Sequence, residues 1–263
     1  MAEVHLDGLT FFYEEMGQGE PILLLHGLGS STQDWELQMG VLAETYRVIA
    51  LDLRGHGRSS KPRGPYSVPL FAADTIAFLH ALNVPAAHLI GISLGGMIAF
   101  QMALDAPELV KSLVIVNSVP ELIPRSFKDR WTLWQRAAIT QFMGMRRMGA
   151  YLAPQLFPKP EQAALRQAIA DRWAQNDKRA YMAASRSFVG WSVVADLDKI
   201  HCPTLVVSAD EDYWPLSIKE TYTAQIPNAQ LMVFEDSRHA TPVDQPEKFN
   251  TAVLTFLEGL RTE

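Results

Sequence analysis

A serine set between two glycines is the feature of this sequence that most directly suggests chemistry. Ser93 stands at the centre of Gly91-Ile92-Ser93-Leu94-Gly95, between an apolar run that predicts a strand and a segment that predicts a helix. In such a turn the serine backbone is strained, and the flanking glycines lack the β-carbons that would collide. The turn lifts the hydroxyl clear of the sheet. The pattern therefore predicts a nucleophile for acyl transfer.

A serine hydroxyl is a poor nucleophile unless a base takes its proton and a third group orients that base. Two polar segments that follow late apolar runs could supply both groups. Residues 209–215 contain Asp210, Glu211 and Asp212, and residues 235–239 end in His239. Catalytic groups of open α/β sheets lie at the carboxyl ends of strands, so these segments are candidates for the same site as the serine. The chain order is then serine, acid, histidine.

The elements that must position these groups alternate along the chain. After a hairpin predicted around Asp7-Gly8, short aliphatic strands are predicted at Ile22–Leu25, Val48–Leu51, His88–Ile92, Leu113–Asn117, Leu205–Ser208 and Leu231–Phe234. Helical patterns fall between or after them, at Trp35–Thr45, Leu70–Leu82, Met97–Asp105, Ile218–Gln225 and Glu247–Leu260. Strands that are apolar on both faces and alternate with helices predict an α/β fold with a mostly parallel sheet, covered on both faces.

Residues 121–195 interrupt this alternation. They contain no convincing strand, several helical stretches and four of the six tryptophans. The segment has twelve Lys and Arg against five Asp and Glu, a net charge of +7, whereas the rest of the chain carries −13. We interpret it as a helical cap, or lid, inserted into a core formed by residues 1–120 and 196–263. Its charge is either a solvated face held against an acidic body or an attraction for an anionic substrate or an acidic carrier protein.

Composition narrows the function classes. The 263 residues carry a net charge of −6, which argues against a general nucleic-acid or anionic-membrane binder. No basic leader opens the sequence and no apolar run is long enough to cross a bilayer, so neither a secretion signal nor a membrane span is expected. Cys202 is the single cysteine, which fits a cytoplasmic setting. Neither a metal-ligand cluster nor a dinucleotide fingerprint is apparent, so no metal and no cofactor are expected.

Five segments together resemble the α/β-hydrolase superfamily, in its branch of serine esterases and enol-lactonases. They are listed in chain order: Leu25-His26-Gly27-Leu28-Gly29, Asp52-Leu53-Arg54-Gly55-His56-Gly57-Arg58-Ser59, the Ser93 turn, Cys202-Pro203-Thr204-Leu205-Val206-Val207, and Asp236-Ser237-Arg238-His239 with the helix after it. The resemblance covers nearly the whole chain outside residues 121–195. It implies an eight-stranded, mostly parallel sheet with helices on both faces and a helical cap.

The resemblance also implies roles for individual residues. Ser93 would be the nucleophile, His239 the general base and then acid, and Asp212 the residue that orients the imidazole, with Glu211 and Asp210 as the alternatives for the acid. The backbone N–H groups of Leu28 and Leu94 would form the oxyanion hole. His26 is expected to be a structural hydrogen-bonding residue beneath that loop.

The expected reaction is hydrolysis of a small carboxylic ester, lactone or thioester through an acyl-enzyme intermediate. Serine at position 93 argues against the branches that use an aspartate nucleophile. A carbon–carbon bond hydrolase is the alternative, although Ala240 stands where that group places an aromatic residue, and a receptor with little turnover is another. The apolar underside of the cap is expected to supply substrate contacts, with Trp134, Phe142 and Trp191 as candidates. The oligomeric state stays open.

Overall fold

A computed structural model describes residues 2–261 of the chain and contains one eight-stranded sheet within them. Its strands are β1 (Ala2–Leu6), β2 (Leu9–Met16), β3 (Pro21–Leu25), β4 (Arg47–Leu51), β5 (Ala87–Ile92), β6 (Val110–Val116), β7 (Thr204–Ala209) and β8 (Ala229–Phe234). The spatial order is β1-β2-β4-β3-β5-β6-β7-β8. β2 pairs antiparallel with β1 and β4, and all other pairs are parallel. The predicted fold class is confirmed.

The central strands are buried on both faces because helices cover both sides of the sheet. β5 is fully buried along its length, and so is β7. One face packs against α2 (Val68–Ala81), α3 (Leu94–Asp105) and α8 (Leu216–Thr223). The other packs against α1 (Glu36–Leu42) and α10 (Pro246–Gly259), which follows the short helix α9 (Thr241–Asp244). This double cover explains why the strands read as continuous aliphatic runs rather than as alternating patterns.

The segment between β6 and β7, residues 121–195, is mainly helical, and we refer to it as the cap. Its helices are α4 (Phe127–Ala138), α5 (Gly144–Leu156), α6 (Ala163–Ala174) and α7 (Lys178–Ser187), with one π-helical turn at Ile139–Met143. The two ends of the cap meet at an isolated bridge between Glu121 and Ser192. α5 and α6 pack together around a small apolar cluster that includes Met148 and Trp173. The prediction that this segment lacks strands agrees with the structure, apart from that bridge.

Most predicted boundaries differ from the observed ones by one to three residues, and two of these differences lie near the site. The helix predicted at Trp35–Thr45 is a 3₁₀ turn (Thr32–Trp35) followed by α1, because the Ser31 side chain caps the turn early. The helix predicted to begin at Met97 begins at Leu94, directly after Ser93. No helix within residues 2–261 combines the length and apolarity that a bilayer span requires.

Candidate active site

The turn at Ser93 has the strained geometry that its sequence predicts. Ser93 has φ 54° and ψ −114°, a conformation that non-glycine residues rarely adopt. A β-carbon at Gly95 would lie 2.0 Å from the Leu25 carbonyl oxygen, and one at Gly91 would lie 2.4 Å from Gly95 backbone atoms. Only glycine fits either position. Ser118 Oγ donates a hydrogen bond to the Ser93 carbonyl at 2.6 Å, which helps to hold the strained backbone.

The loop after β3 lies beside this serine. A β-carbon at Gly27 would be 3.6 Å from Ser93 Cβ, and both Leu28 and Leu94 line the same cavity as Ser93. Leu94 is the first residue of α3, and the first N–H groups of a helix have no partner within the helix. The helix dipole adds partial positive charge at this end. The site therefore offers amide donors next to the serine.

His26 fixes the base of that loop. Its Nδ1 donates to the Gly27 carbonyl at 2.7 Å, and its Nε2 accepts from the Leu53 amide at 3.1 Å. The side chain is fully buried, and burial lowers the pKa of His26 to about 4. A neutral imidazole with both nitrogens engaged is a structural clamp, as the sequence predicted.

The cap also touches the loop after β3. The rings of Trp173 and Tyr181 lie so close to Gly29 that a β-carbon there would be 3.0 Å from each. Asn176 Nδ2 donates to the Gly29 carbonyl at 2.7 Å. Gly29 also has φ 76°, so two independent reasons favour glycine at this position. The cap thus fixes one wall of the site as well as covering it.

The three candidate acids occupy different environments. Asp212 Oδ1 accepts a hydrogen bond from His239 Nδ1 at 2.6 Å, and its side chain is fully buried. Asp210 instead accepts the amides of Asp236 and Ser237, at 3.0 and 3.1 Å, and so anchors the histidine loop. Glu211 is half exposed and pairs with Arg238 at 2.5 Å. Of the three, Asp212 is the one in contact with the imidazole.

Lys219, on α8, is a site residue that the sequence analysis missed. It is fully buried, contacts Asp212 Oδ2 through its ammonium group and donates to the Trp214 carbonyl at 2.7 Å. Burial acts to raise the pKa of Asp212, but His239 and Lys219 outweigh it and hold that pKa below its usual value. A buried lysine in a helical pattern reads as solvent-exposed, so nothing in the sequence marked it.

Asn117 is a second residue that was missed. It follows β6 with φ 43°, and its Oδ1 accepts the Ala209 amide at 2.8 Å. Its Nδ2 donates to the His239 carbonyl at 3.0 Å and to Thr241 Oγ1 at 2.7 Å. One side chain therefore joins the ends of β6 and β7 to the histidine loop. Its position at the end of an aliphatic run was the sequence feature that could have identified it, because polar residues at strand ends lie at the edge where the site forms.

Aromatic rings confine the His239 imidazole. Tyr213 stacks on it with ring centroids 4.3 Å apart, and Trp214 meets it edge-on at 5.5 Å. The His239 side chain is 12% exposed. Because Nδ1 is hydrogen-bonded to Asp212, Nε2 is the ring nitrogen that can exchange a proton with a group in the cavity that His239 lines.

A cavity of about 900 Å³ lies between the sheet edge and the cap. Ser93, His239, Leu28 and Leu94 line its floor, and its walls are mainly apolar. The cap contributes Leu122, Leu133, Leu152, Leu156, Ile169, Trp173, Tyr181 and Phe188. A volume in this range suits a small organic molecule.

The three predicted substrate contacts lie elsewhere, and these predictions are corrected. Trp134 is 58% exposed and Phe142 is 84% exposed, and neither lines the cavity. On α4 the cavity face carries Leu133 and Arg136, so Trp134 points the other way. Trp191 packs against the core and donates its Nε1 to Gln101 at 2.9 Å.

Within residues 2–261, no cluster of three or more His, Cys, Asp or Glu side chains is arranged to hold a metal ion. The polar groups of the site are those of acid–base and nucleophilic chemistry.

A family model described as the alpha/beta hydrolase fold matches residues 20–246. The chain belongs to the α/β-hydrolase superfamily. The matched range contains the Ser93 turn, the acidic loop and His239. The chain is a hydrolase of that superfamily.

The similarity to known proteins covers almost the whole chain. A putative carbamate hydrolase RutD from Caulobacter segnis is 33% identical, covering 91% of this chain and 92% of that protein. The (E)-2-((N-methylformamido)methylene)succinate hydrolase of Acinetobacter baylyi is 31% identical, covering 95% and 94%. The crystal structure of the enol-lactonase from Burkholderia xenovorans LB400 superposes with a TM-score of 0.91 over 98% of this chain and all of that one, at 21% identity. This last likeness concerns the fold.

Proposed function

We propose that this protein is a serine hydrolase that cleaves a small carboxylic ester, lactone or thioester through an acyl-enzyme intermediate. The observation that carries the proposal is the juxtaposition of a strained Ser93, a buried Asp212–His239 pair and helix-terminal amides around one apolar cavity. Serine rather than aspartate at the turn directs the chemistry to acyl transfer. The cavity volume restricts the substrate to a small molecule.

In this mechanism Ser93 Oγ attacks the scissile carbonyl carbon while His239 Nε2 takes the hydroxyl proton. Asp212 accepts a hydrogen bond from the Nδ1–H of His239, which fixes the tautomer and stabilises the imidazolium. The amides of Leu28 and Leu94 hold the negative oxygen of the tetrahedral intermediate. Such preorganised donors are worth about 3 kcal/mol each.

Collapse of the intermediate expels the alcohol, thiol or enol, which receives its proton from His239. Water then enters, His239 takes one of its protons, and the hydroxide attacks the acyl-enzyme. The acid is released and Ser93 regains its proton. The residues of this chain supply every proton transfer, so the reaction needs only substrate and water.

The test is hydrolysis of p-nitrophenyl acetate and p-nitrophenyl butyrate by the native protein and by Ser93→Ala. We expect the variant to lose activity by about 1,000-fold or more, because the nucleophile is gone. Ser192→Ala, on the exposed end of the cap, is the control and should keep native rates. Equal rates for the native protein and Ser93→Ala would refute the proposal.

A covalent probe tests the nucleophile itself. A fluorophosphonate should phosphonylate Ser93 Oγ with loss of fluoride, and mass spectrometry of the digested protein should find the adduct on the peptide that contains Ser93. His239→Gln should slow the labelling, because the base that takes the proton is absent. An adduct on a different residue would contradict the assignment.

A further inference from the structure

The basic side chains of the cap differ in whether an acidic partner lies nearby. Several of its cations are neutralised by the acidic core or within the cap: Lys159 pairs with Asp236 at 2.6 Å, and Arg172 pairs with Glu36 at 3.0 Å. Arg146 pairs with Asp171. The first two pairs attach the cap to the body, and the third lies within the cap, so these cations are not available to a substrate.

Arg136 on α4 is different. It lines the cavity, and its Nε is buried without a hydrogen-bond partner. Its guanidinium carbon lies 5.1 Å from the centre of the Tyr213 ring, and the same ring stacks on the His239 imidazole at 4.3 Å. The cation and the proposed general base therefore contact the same aromatic ring. A guanidinium that lines an apolar cavity and lacks part of its hydrogen bonding is stabilised by an anion bound beside it.

Most of the other charged groups that line the cavity have ionic or hydrogen-bond partners, and the remaining one is exposed to solvent. Arg125 forms an ion pair with Glu121, Asp129 accepts the Ser126 amide at 2.9 Å, and Asp34 accepts from Ser30. Lys128 is exposed. Among the described residues, Arg136 is thus the lining cation with a buried donor that lacks an acceptor.

We infer that Arg136 binds a carboxylate of the substrate, so that the preferred substrates are esters or lactones that carry a free carboxylate a few bonds from the scissile carbonyl. This inference rests on the serine-hydrolase proposal and assigns its substrate class. A guanidinium holds a carboxylate through charge-assisted hydrogen bonds, which are stronger than neutral ones. The apolar walls raise the strength of such a contact further because they exclude water.

The experiment compares two esters of equal shape, monomethyl glutarate and the methyl ester of glutaramic acid, which replaces the carboxylate with an amide. Methanol release gives kcat/KM for each. We expect the native protein to prefer the carboxylate ester, and Arg136→Met to lower that preference by about 10- to 100-fold. Arg136→Lys should retain part of it, because the charge stays but the planar fork is lost.

Arg147→Met is the matched control, because it removes the same charge from an exposed position of α5 outside the cavity. It should leave the preference within about twofold, since a screened surface charge acts weakly. Equal loss in the Arg136 and Arg147 variants, or a native protein that does not prefer the carboxylate ester, would overturn the inference. Ser93→Ala is assayed on both esters, so that failure of the serine mechanism is seen separately.

The buried contact between Lys219 and Asp212 supports a second, independent proposal. Within residues 2–261, the side-chain hydrogen bonds to Asp212 come from His239 Nδ1 and Lys219 Nζ. The ammonium therefore occupies the carboxylate oxygen that does not serve the imidazole. Lys219 is fully buried, and an isolated buried ammonium is strongly unfavourable.

We propose that Lys219 is a positioning residue that holds the Asp212 carboxylate by one oxygen, so that the other oxygen stays in place to orient the His239 imidazole. Tyr213 and Tyr222 on α8 are the other titratable groups coupled electrostatically to Asp212, and Tyr213 is coupled in turn to Arg136, Tyr151 and Arg238. Removing the ammonium removes a positive charge that lies beside the Asp212–His239 pair. A proton then binds more readily, whether it resides on the carboxylate or on the imidazole.

The measurement is the pH profile of kcat/KM for p-nitrophenyl butyrate in Lys219→Met and Lys219→Arg. The acidic limb should move up by about one pH unit in Lys219→Met and stay in place in Lys219→Arg, which keeps the charge. A lower rate with an unmoved limb in both variants would reduce Lys219 to a packing role. The same assay with Ser93→Ala tests the serine mechanism separately, because native activity in that variant would refute the mechanism and not the role of Lys219.

Discussion

The sheet edge and the helical cap face the same cavity but are built in different ways. At the sheet edge, polar side chains are buried and engaged: Asn117 joins two strand ends to the histidine loop, and Asp210 holds the amides of that loop. In the cap, the contribution to the cavity is mainly apolar, and large aromatic side chains such as Trp134 face solvent. Chemistry is assigned to the first region and substrate selection to the second.

The two regions differ because proton transfer and substrate contact require different precision in the placement of side chains. Proton transfer requires groups held within tenths of an ångström, which a hydrogen-bonded sheet edge provides. Apolar contact with a substrate tolerates looser packing, so a helical cap can vary without loss of the chemistry. The contacts of Trp173, Tyr181 and Asn176 with Gly29 are the place where the two regions depend on each other.

The largest expected effect concerns the acid at the sheet edge. Asp212→Asn should reduce kcat by about 10,000-fold, because an amide at this position favours the wrong imidazole tautomer. Glu211→Gln changes the neighbouring residue in the same chemical way but at a half-exposed side chain that pairs with Arg238, and it should alter kcat by less than about threefold. Near-normal turnover by Asp212→Asn would move the assignment to a neighbour.

A smaller effect, on stability, compares two aromatic truncations. Phe249 on α10 is fully buried, whereas Trp134 on α4 is 58% exposed. Phe249→Ala should lower the free energy of unfolding by about 3–5 kcal/mol, because it leaves a cavity in the core. Trp134→Ala should change it by less than about 1 kcal/mol. Urea unfolding measures both, and equal losses would mean that the outer face of the cap is buried by something in solution.

The smallest effect concerns substrate size. Leu133 lines the cavity and its neighbour Trp134 faces away from it, so the two test opposite faces of one helix. Leu133→Ala should change the ratio of kcat/KM for p-nitrophenyl butyrate to that for the acetate by about 5- to 50-fold, since one or two methylene contacts are altered. Trp134→Ala should leave the ratio unchanged. A reversed result would show that α4 turns its other face to the substrate.

Local patterns predicted much of the fold and the floor of the site. Aliphatic runs bounded by turn residues located the strands, because a strand buried on both faces must be apolar throughout. The glycines around Ser93 predicted its turn, because no other residue fits at Gly91 or Gly95. The motif around His239 placed a histidine at the edge where the structure now brings it to Asp212.

The sequence by itself determined the strand–helix order, the serine turn and the presence of a helical insertion, since each depends on residues that are neighbours along the chain. Only the tertiary structure decided that Asp212 rather than Glu211 meets His239, that Lys219 lies buried beneath it, and that Arg136 rather than Trp134 faces the cavity. These outcomes depend on the rotation of helices about their axes and on contacts between residues far apart in the chain. Such contacts are set by packing, which no local pattern encodes.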